Sequence, residues 1–269
     1  MNKKLNKKKL LIVSAMGTIA LFAIIATFNI GFVSSKEDGK LRDTNLSSVT
    51  MTNLMDFSSK EIYKGPSENS GKVAYITIDD GPSKYTDDII KILNKYNAKA
   101  TFFMIDGNMK IYLEQVKNII ESGSTTGFHS VSHDIHKLYE TNTSAREEFD
   151  INNKTLFKIA GKYSKVIRLP YGSKPYMPSS SYEVLNSAGY KLWDWDIDTQ
   201  DWKSTSTQII NNVKKYSKDR DNIVILMHEK KQTLHALDEM LKYLSDEGYE
   251  FLPIDQNEKP KNYWLGNLS

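Results

Sequence analysis

Residues 73–82 read VAYITIDDGP, and the fold class is decided by this stretch. Val73 to Ile78 is a short, β-branched run of the kind that forms a strand. It stops at two adjacent carboxylates, Asp79 and Asp80, and Gly81-Pro82 then impose a tight turn. Successive side chains at a strand end point in different directions, so the two acids can serve different tasks. Taken alone, the same residues could equally form a polar turn that caps the next helix.

Downstream, the pattern alternates. A helical stretch follows the turn, with Ile89, Ile90, Ile92 and Leu93 on one side. Strands are expected over 100–104, 125–128, 166–169, 192–197, 223–227 and 249–254. Helices are expected over 111–120, 145–160, 182–188, 205–216 and 234–244. Strands separated by helical stretches imply βαβ units and a parallel sheet. The expected fold is therefore α/β: a distorted (β/α) barrel with about seven parallel strands, spanning 72–269. In such folds chemistry collects just beyond the C-terminal strand ends. Asp79, Asp80, His129, Arg168, Asp198, Asp201 and His228 all fall there, which marks them as one site.

Upstream, composition shifts twice. Residues 1–9 hold five lysines, and residues 10–33 carry no charge. A helix of that length can cross a hydrocarbon core about 30 Å thick. Lysines before it favour a cytoplasmic N-terminus. A cleaved signal peptide is the alternative, but the apolar run is longer than a usual signal-peptide core and has no clean A-x-A site. The reading is a basic tail (1–9), an uncleaved transmembrane anchor (10–33) and an extracytoplasmic stalk (34–71), which place the barrel outside the cell membrane. Val49, Met51, Leu54, Met55 and Phe57 in the stalk could form a short helix or pack on the domain.

The formal charge of the 269 residues is +3, but outside the tail 31 basic residues face 33 acidic ones. No basic stripe is left to displace counterions from phosphates, so a nucleic-acid partner is not expected. No obligate protein partner is evident either. The absence of cysteine excludes disulfides, thiolate metal sites and cysteine nucleophiles.

Two further patterns bear on chemistry. His129 and His133 are four residues apart, which presents both imidazoles on one face if the segment is helical. Two histidines and a carboxylate form an open three-ligand metal site, although an HxxxH pair alone can also face solvent. His136 is read as a bystander. In WDWD (193–196), strand alternation would send Asp194 and Asp196 to one face, toward the barrel interior or its rim.

Five segments in order, TIDDGP (77–82), HSVSH (129–133), RLPYG (168–172), DTQDW (198–202) and LMH (226–228), make the chain resemble the polysaccharide deacetylases of carbohydrate esterase family 4, the NodB-homology group. The resemblance implies that Asp80, His129 and His133 hold one divalent metal ion. Zn²⁺ suits this set, and Co²⁺, Ni²⁺, Mn²⁺ or Fe²⁺ can occupy similar geometry. It implies Asp79 as general base, with Arg168 orienting it and keeping it ionised. His228 would be the general acid, with its pKa raised by Asp201. The backbone N–H of Tyr171 would face the oxyanion, and Trp202 and Leu226 would wall a pocket for the acetyl methyl. Seen alone, Trp202 and Leu226 could be ordinary core and Arg168 a surface ion pair.

Small departures from the family pattern are Ile78 for the usual Phe and Leu169 for the common Pro. Tyr171 stands where members acting on muramic acid often carry Arg, so it resembles members acting on N-acetylglucosamine. The implied activity is N-deacetylation of cell-wall peptidoglycan. A chitin-like or exopolysaccharide substrate, another amide, or a non-catalytic glycan-binding role are the alternatives.

Overall fold

The structure, a computed structural model, describes residues 71–268. The expected tail, membrane anchor and nearly all of the stalk lie outside the described residues. Among the described residues no helix is long and apolar enough to cross a membrane.

The strands are β1 (Lys72–Gly81), β2 (Ala100–Met104), β3 (Thr125–Phe128), β4 (Val166–Ile167), β5 (Lys191–Leu192), β6 (Ile197–Asp198), β7 (Asn222–His228) and β8 (Tyr249–Phe251). Seven of them form one ladder in the order β5-β4-β3-β2-β1-β7-β6, and β8 pairs with the start of β1. Every pairing is parallel. The expected parallel α/β sheet of about seven strands is present. Among the described residues no ladder joins β5 to β6, so the barrel is open on that side.

The sheet is curled. Arg168, just after β4, hydrogen-bonds to Thr77 and Asp79 of β1, three strands away. A flat sheet would separate those strands by roughly 14 Å, at about 4.8 Å per strand. Strand alternation then sorts the residues. Tyr75, Phe103, Val166, Trp193 and Val224 pack together inside the curl. Ala74, Ile76, Ile78, Phe102, Met104, Ile223, Ile225 and Met227 face the helices. Continuing the interior parity along β1 and β7 brings Asp79 and His228 to the rim on the inner face.

The helices are α1 (Thr86–Lys95), α2 (Asp106–Ile111), α3 (Leu113–Glu121), α4 (Ile135–Leu138), α5 (Ser144–Ala160), α6 (Ser179–Ser187), α7 (Ser206–Tyr216) and α8 (Lys231–Asp246). A capping box starts α7: Thr205 accepts from the Gln208 N–H while the Gln208 side chain accepts from the Thr205 N–H. The helix expected over 111–120 is instead two, interrupted at Tyr112, whose ψ of 56° is not helical.

A second correction concerns 192–197, expected as one strand. The chain leaves β4 after the Trp193 N–H bonds to Ile167 O and joins β7 where the Asp196 N–H bonds to Val224 O. The crossing gives β5 and β6, so strand alternation does not operate in WDWD. Asp194 is buried and accepts from the Ser173 N–H, the Ser173 hydroxyl and the Tyr263 N–H. Asp196 accepts from the Val224 N–H. Both aspartates anchor backbone at the sheet opening, while Trp193 fills the interior.

Candidate active site and metal centre

The site is assembled by strand ends and by unusual backbone. Asp79 is the last inward residue of β1, and the next residue, Asp80, has φ 69°. That turns its carboxylate away from the line of the strand. The Asn108 amide donates to Asp80 O at 2.7 Å and holds the turn. Ser130, His133, Tyr171 and Gln200 also have positive φ. Such conformations cost about 1–3 kcal/mol each and persist where the surroundings impose them, often at functional sites. Of these residues, Asp80, His133 and Tyr171 line one cavity.

The HSVSH segment is a loop and not a helix, so helical spacing does not bring its imidazoles together. Positive φ at Ser130 and His133 breaks any helical path. Three contacts fix the loop. One Glu148 carboxylate oxygen on α5 accepts from the N–H groups of Val131 and Ser132, at 2.7 and 2.9 Å. The Asn152 amide donates to Ser130 O at 3.1 Å. The His133 N–H donates to the Ser130 hydroxyl at 3.0 Å.

His129 Nδ1 lies 2.9 Å from Arg168 O. As donor to that carbonyl it leaves the Nε2 lone pair facing the cavity. His129 Nε2 is 3.7 Å and His133 Nε2 3.4 Å from Asp80 Oδ1. Asp80, His129 and His133 each offer one ligand atom, all within 4.8 Å of one another. Burial pulls the His129 pKa down to about 3, against the opposing charge of Asp80, so the ring is neutral and able to coordinate. Asp80 Oδ1 is buried with no hydrogen-bond partner. An orphaned carboxylate oxygen between two imidazole nitrogens is what a divalent cation satisfies. The residues present therefore fit the implied metal.

Arg168 is fully buried. Its Nη1 donates to Asp79 Oδ1 at 3.0 Å and to the Thr77 hydroxyl at 2.6 Å, and Nε and Nη2 donate to the carbonyls of Trp193 and Asp194. It is no surface ion pair. Its charge and hydrogen bond both act to lower the Asp79 pKa, as expected, but burial acts more strongly in the other direction. Burial raises the Asp79 pKa, and the opposing charges of Arg168 and His228 do not fully offset it. Arg168 orients Asp79, while burial makes the carboxylate more basic than usual.

His228 is held by Asp201. Its Nδ1 lies 2.7 Å from Asp201 Oδ1, and its N–H donates to Asp201 Oδ2 at 2.7 Å. Thr233 and Gln232 at the start of α8 donate to the Asp201 carboxylate and carbonyl. Burial lowers the His228 pKa, but the hydrogen bond to Asp201 and the charges of Asp79, Asp201 and Asp80 raise it further, leaving it above the usual value.

Asp79, Asp80, His129, His133 and His228 line one cavity of about 460 Å³, with Tyr171, Trp202 and Leu226. Leu226 is buried, while Tyr171 and Trp202 are 60% and 56% exposed. The Tyr171 ring meets the His133 ring edge-on at 5.2 Å. Trp195, Asp198 and Lys230 line the same cavity; Trp195 and Lys230 carried no assigned role in the sequence reading. Glu229 was also missed. It is buried under the turn, where one carboxylate oxygen accepts from the hydroxyls of Ser83 and Thr86. A Cβ at Gly81 would fall 2.1 Å from Glu229 Oε1, so only glycine admits this approach. The position of Glu229 directly after His228 was the only available signal. A separate groove of about 550 Å³, lined by lysines and apolar residues near α3 and α5, offers no imidazole or carboxylate for acid–base work.

The family model for polysaccharide deacetylase matches residues 67–193. A peptidoglycan-N-acetylglucosamine deacetylase of Bacillus cereus is 36% identical over 214 residues, covering 75% of this chain and 78% of the relative. A peptidoglycan-N-acetylmuramic acid deacetylase, PdaC of Bacillus subtilis, is 31% identical over 71% of this chain but only 39% of its own length. Among solved structures, the polysaccharide deacetylase Bc1974 from Bacillus cereus superposes with a TM-score of 0.70 at 36% identity, covering 73% of this chain and 98% of that one.

Proposed function

This chain belongs to the polysaccharide deacetylase family, and on that premise we propose that it hydrolyses N-acetyl groups of cell-wall peptidoglycan, on N-acetylglucosamine, releasing acetate. The observation that carries this reading is the placement of Asp79 and His228 at paired positions beside the Asp80–His129–His133 cluster. Asp80, His129 and His133 would hold one divalent ion, with Zn²⁺ favoured by the donor set. When bound, such an ion polarises an acetamide carbonyl and lowers the pKa of water to about 7.

The protein's own groups supply the proton transfers. Asp79 takes a proton from the attacking water, whose oxygen bonds to the carbonyl carbon. Arg168 keeps the Asp79 carboxylate aimed. His228 gives its proton to the nitrogen as the C–N bond breaks, so acetate and a free amine leave. A basic carboxylate and an acidic imidazolium, with pKa values displaced from their usual ones, divide the two roles. The Tyr171 N–H would steady the oxyanion, and Trp202 and Leu226 would flank the methyl group. Tyr171 in place of arginine supports N-acetylglucosamine over muramic acid. The apolar run 10–33 supports a single-pass anchor in the cell membrane, N-terminus inside and catalytic domain outside, next to a fixed polymer.

The test is mass spectrometry of muropeptides treated with the purified chain, with and without chelator. Loss of one acetyl mass from N-acetylglucosamine, abolished by chelator, is expected. Unchanged muropeptides with a metal-loaded chain would contradict the proposal.

A further inference from the structure

The groove beside α3 and α5 combines positive charge with exposed apolar surface. Lys110, Lys117, Lys154 and Lys158 line it, and so do Leu113 and Ile151, both exposed. It shares no lining residue with the cavity that holds Asp79 and His228. On α5, Ile151, Lys154 and Lys158 are spaced three and four residues apart, which puts them on one helix face. Leu113 and Lys117, four apart, share a face of α3. Lys110 pairs with the buried Asp106 at 2.5 Å and Lys117 with Glu114 at 2.7 Å. Lys154 and Lys158 take part in none of the ion pairs among the described residues. Among the described residues no carboxylate lines the groove, so its local charge is positive.

These two kinds of lining call for one amphiphilic partner. A hydrophilic polyanion would meet the lysines and leave Leu113 and Ile151 in water. A neutral glycan would give the ammonium groups no counter-charge. A bilayer surface containing anionic phospholipid offers both, with phosphates at the level of the ammonium groups and apolar chains just beneath. Lysine stems can run along the apolar surface while their ammonium groups reach the headgroups. We propose that this groove docks the flank of α3 and α5 on an anionic lipid surface.

The inference goes beyond the deacetylase reading and takes from it only the anchor over 10–33. Residues 34–70 separate that run from Gly71, where the described residues begin. Fully extended, at about 3.5 Å per residue, such a length spans on the order of 100 Å. The anchor alone therefore does not decide how far from the bilayer the cavity works, and a surface contact does. A weak contact suffices, because the tether keeps the effective concentration of the partner high. Each lysine close to an anionic surface strengthens the contact about fivefold, a gain that salt screens away.

The chain has no cysteine, so Ile151→Cys gives a single attachment point for an environment-sensitive fluorophore in the groove. The labelled full chain is inserted into nanodiscs of phosphatidylcholine alone or mixed equally with phosphatidylglycerol. A blue-shifted emission, quenched by brominated lipid, is expected in the mixed discs only and is expected to fade as salt rises. Adding Lys158→Gln is expected to lower the ratio of docked to free domain about fivefold, and Lys154→Glu with Lys158→Glu to abolish the shift, with the far-ultraviolet circular dichroism unchanged. Equal emission in the two discs, or a shift that survives both charge reversals, would overturn the inference. A blue shift produced by soluble polyphosphate and not by the mixed discs would overturn lipid as the occupant. A chain that remains with neither disc would overturn the anchor and the docking together. None of these results bears on acetate release, which tests the deacetylase reading separately.

Discussion

Asp79 and His228 are partners in the β1–β7 ladder, side by side at the C-terminal ends of adjacent parallel strands. The two-residue period that buries Tyr75 and Val224 inside the curl delivers both side chains to the same rim. The separation of the proposed base and acid is therefore set by sheet geometry, and their opposite roles by what each is buried against.

The Asp201–His228 pair predicts a pH effect. The pKa of His228 lies above its usual value, largely through Asp201. A general acid must be protonated, so kcat/KM falls as pH rises through that pKa. Asp201→Asn removes the charge and is expected to move this alkaline limb to lower pH, with a lower plateau. A limb that stays in place in the pH profile would argue against His228 as the acid.

Arg168 predicts a stability effect. Its guanidinium is fully buried and bonds to Asp79, Thr77 and two carbonyls. Truncating one member of a buried pair costs about 3–5 kcal/mol. Urea unfolding of Arg168→Ala is expected to show a loss of that order. A loss below about 1 kcal/mol, the range of surface pairs, would mean that Arg168 does not anchor the site.

Glu148 holds the loop between His129 and His133 through the backbone N–H groups of Val131 and Ser132. Substituting groups that orient ligands typically lowers metal affinity 10–100-fold. Glu148→Ala is expected to weaken Zn²⁺ binding within that range in competition titration with a chelator, while the far-ultraviolet circular dichroism is retained. Unchanged affinity would show that the loop keeps its shape without this anchor.

Glu229 predicts a pH-dependent stability difference. Burial raises its pKa, and the hydrogen bonds from Ser83 and Thr86 only partly offset this. A carboxyl whose folded pKa exceeds the unfolded one contributes stability below the unfolded pKa, and that contribution is lost as pH rises through the folded value. Glu229→Gln is always neutral and can still accept from both hydroxyls. Relative to the parent it is expected to gain stability in urea unfolding at pH 7, with the gain disappearing under acid conditions below the unfolded pKa, about pH 4. A variant less stable than the parent at pH 7 would contradict the burial argument.

Much of the site could be read from the chain itself because its chemistry sits where strands end. Asp79, Asp80, His129, Arg168 and His228 each close or follow a strand whose apolar run is plain in the sequence, and the structure brings all five to one rim. Elsewhere, contacts distant in sequence override local pattern. HSVSH has helical spacing, but Glu148 and Asn152 on another element hold it as a loop. The run 192–197 has strand composition, but the Asp194 N–H bonds to Lys261 O and the Asp196 N–H to Val224 O of β7, which draws its middle across an opening. The raised pKa of Asp79 was hidden because the neighbouring charge of Arg168 is visible as a residue type, whereas the depth of burial is a property of the folded chain. Lys230 and Glu229 follow His228 directly and were passed over, since only the fold tells which of two adjacent charges faces the cavity.

The central claim is that Asp80, His129 and His133 grip one divalent ion beside the Asp79–His228 pair. Anomalous diffraction at the zinc edge, from crystals of the zinc-loaded protein, tests it most directly. The account predicts one strong peak about 2.0–2.2 Å from a carboxylate oxygen of Asp80 and from Nε2 of both histidines, missing in His133→Ala. Zinc absent from that position, or bound elsewhere with the three side chains uncoordinated, would contradict it.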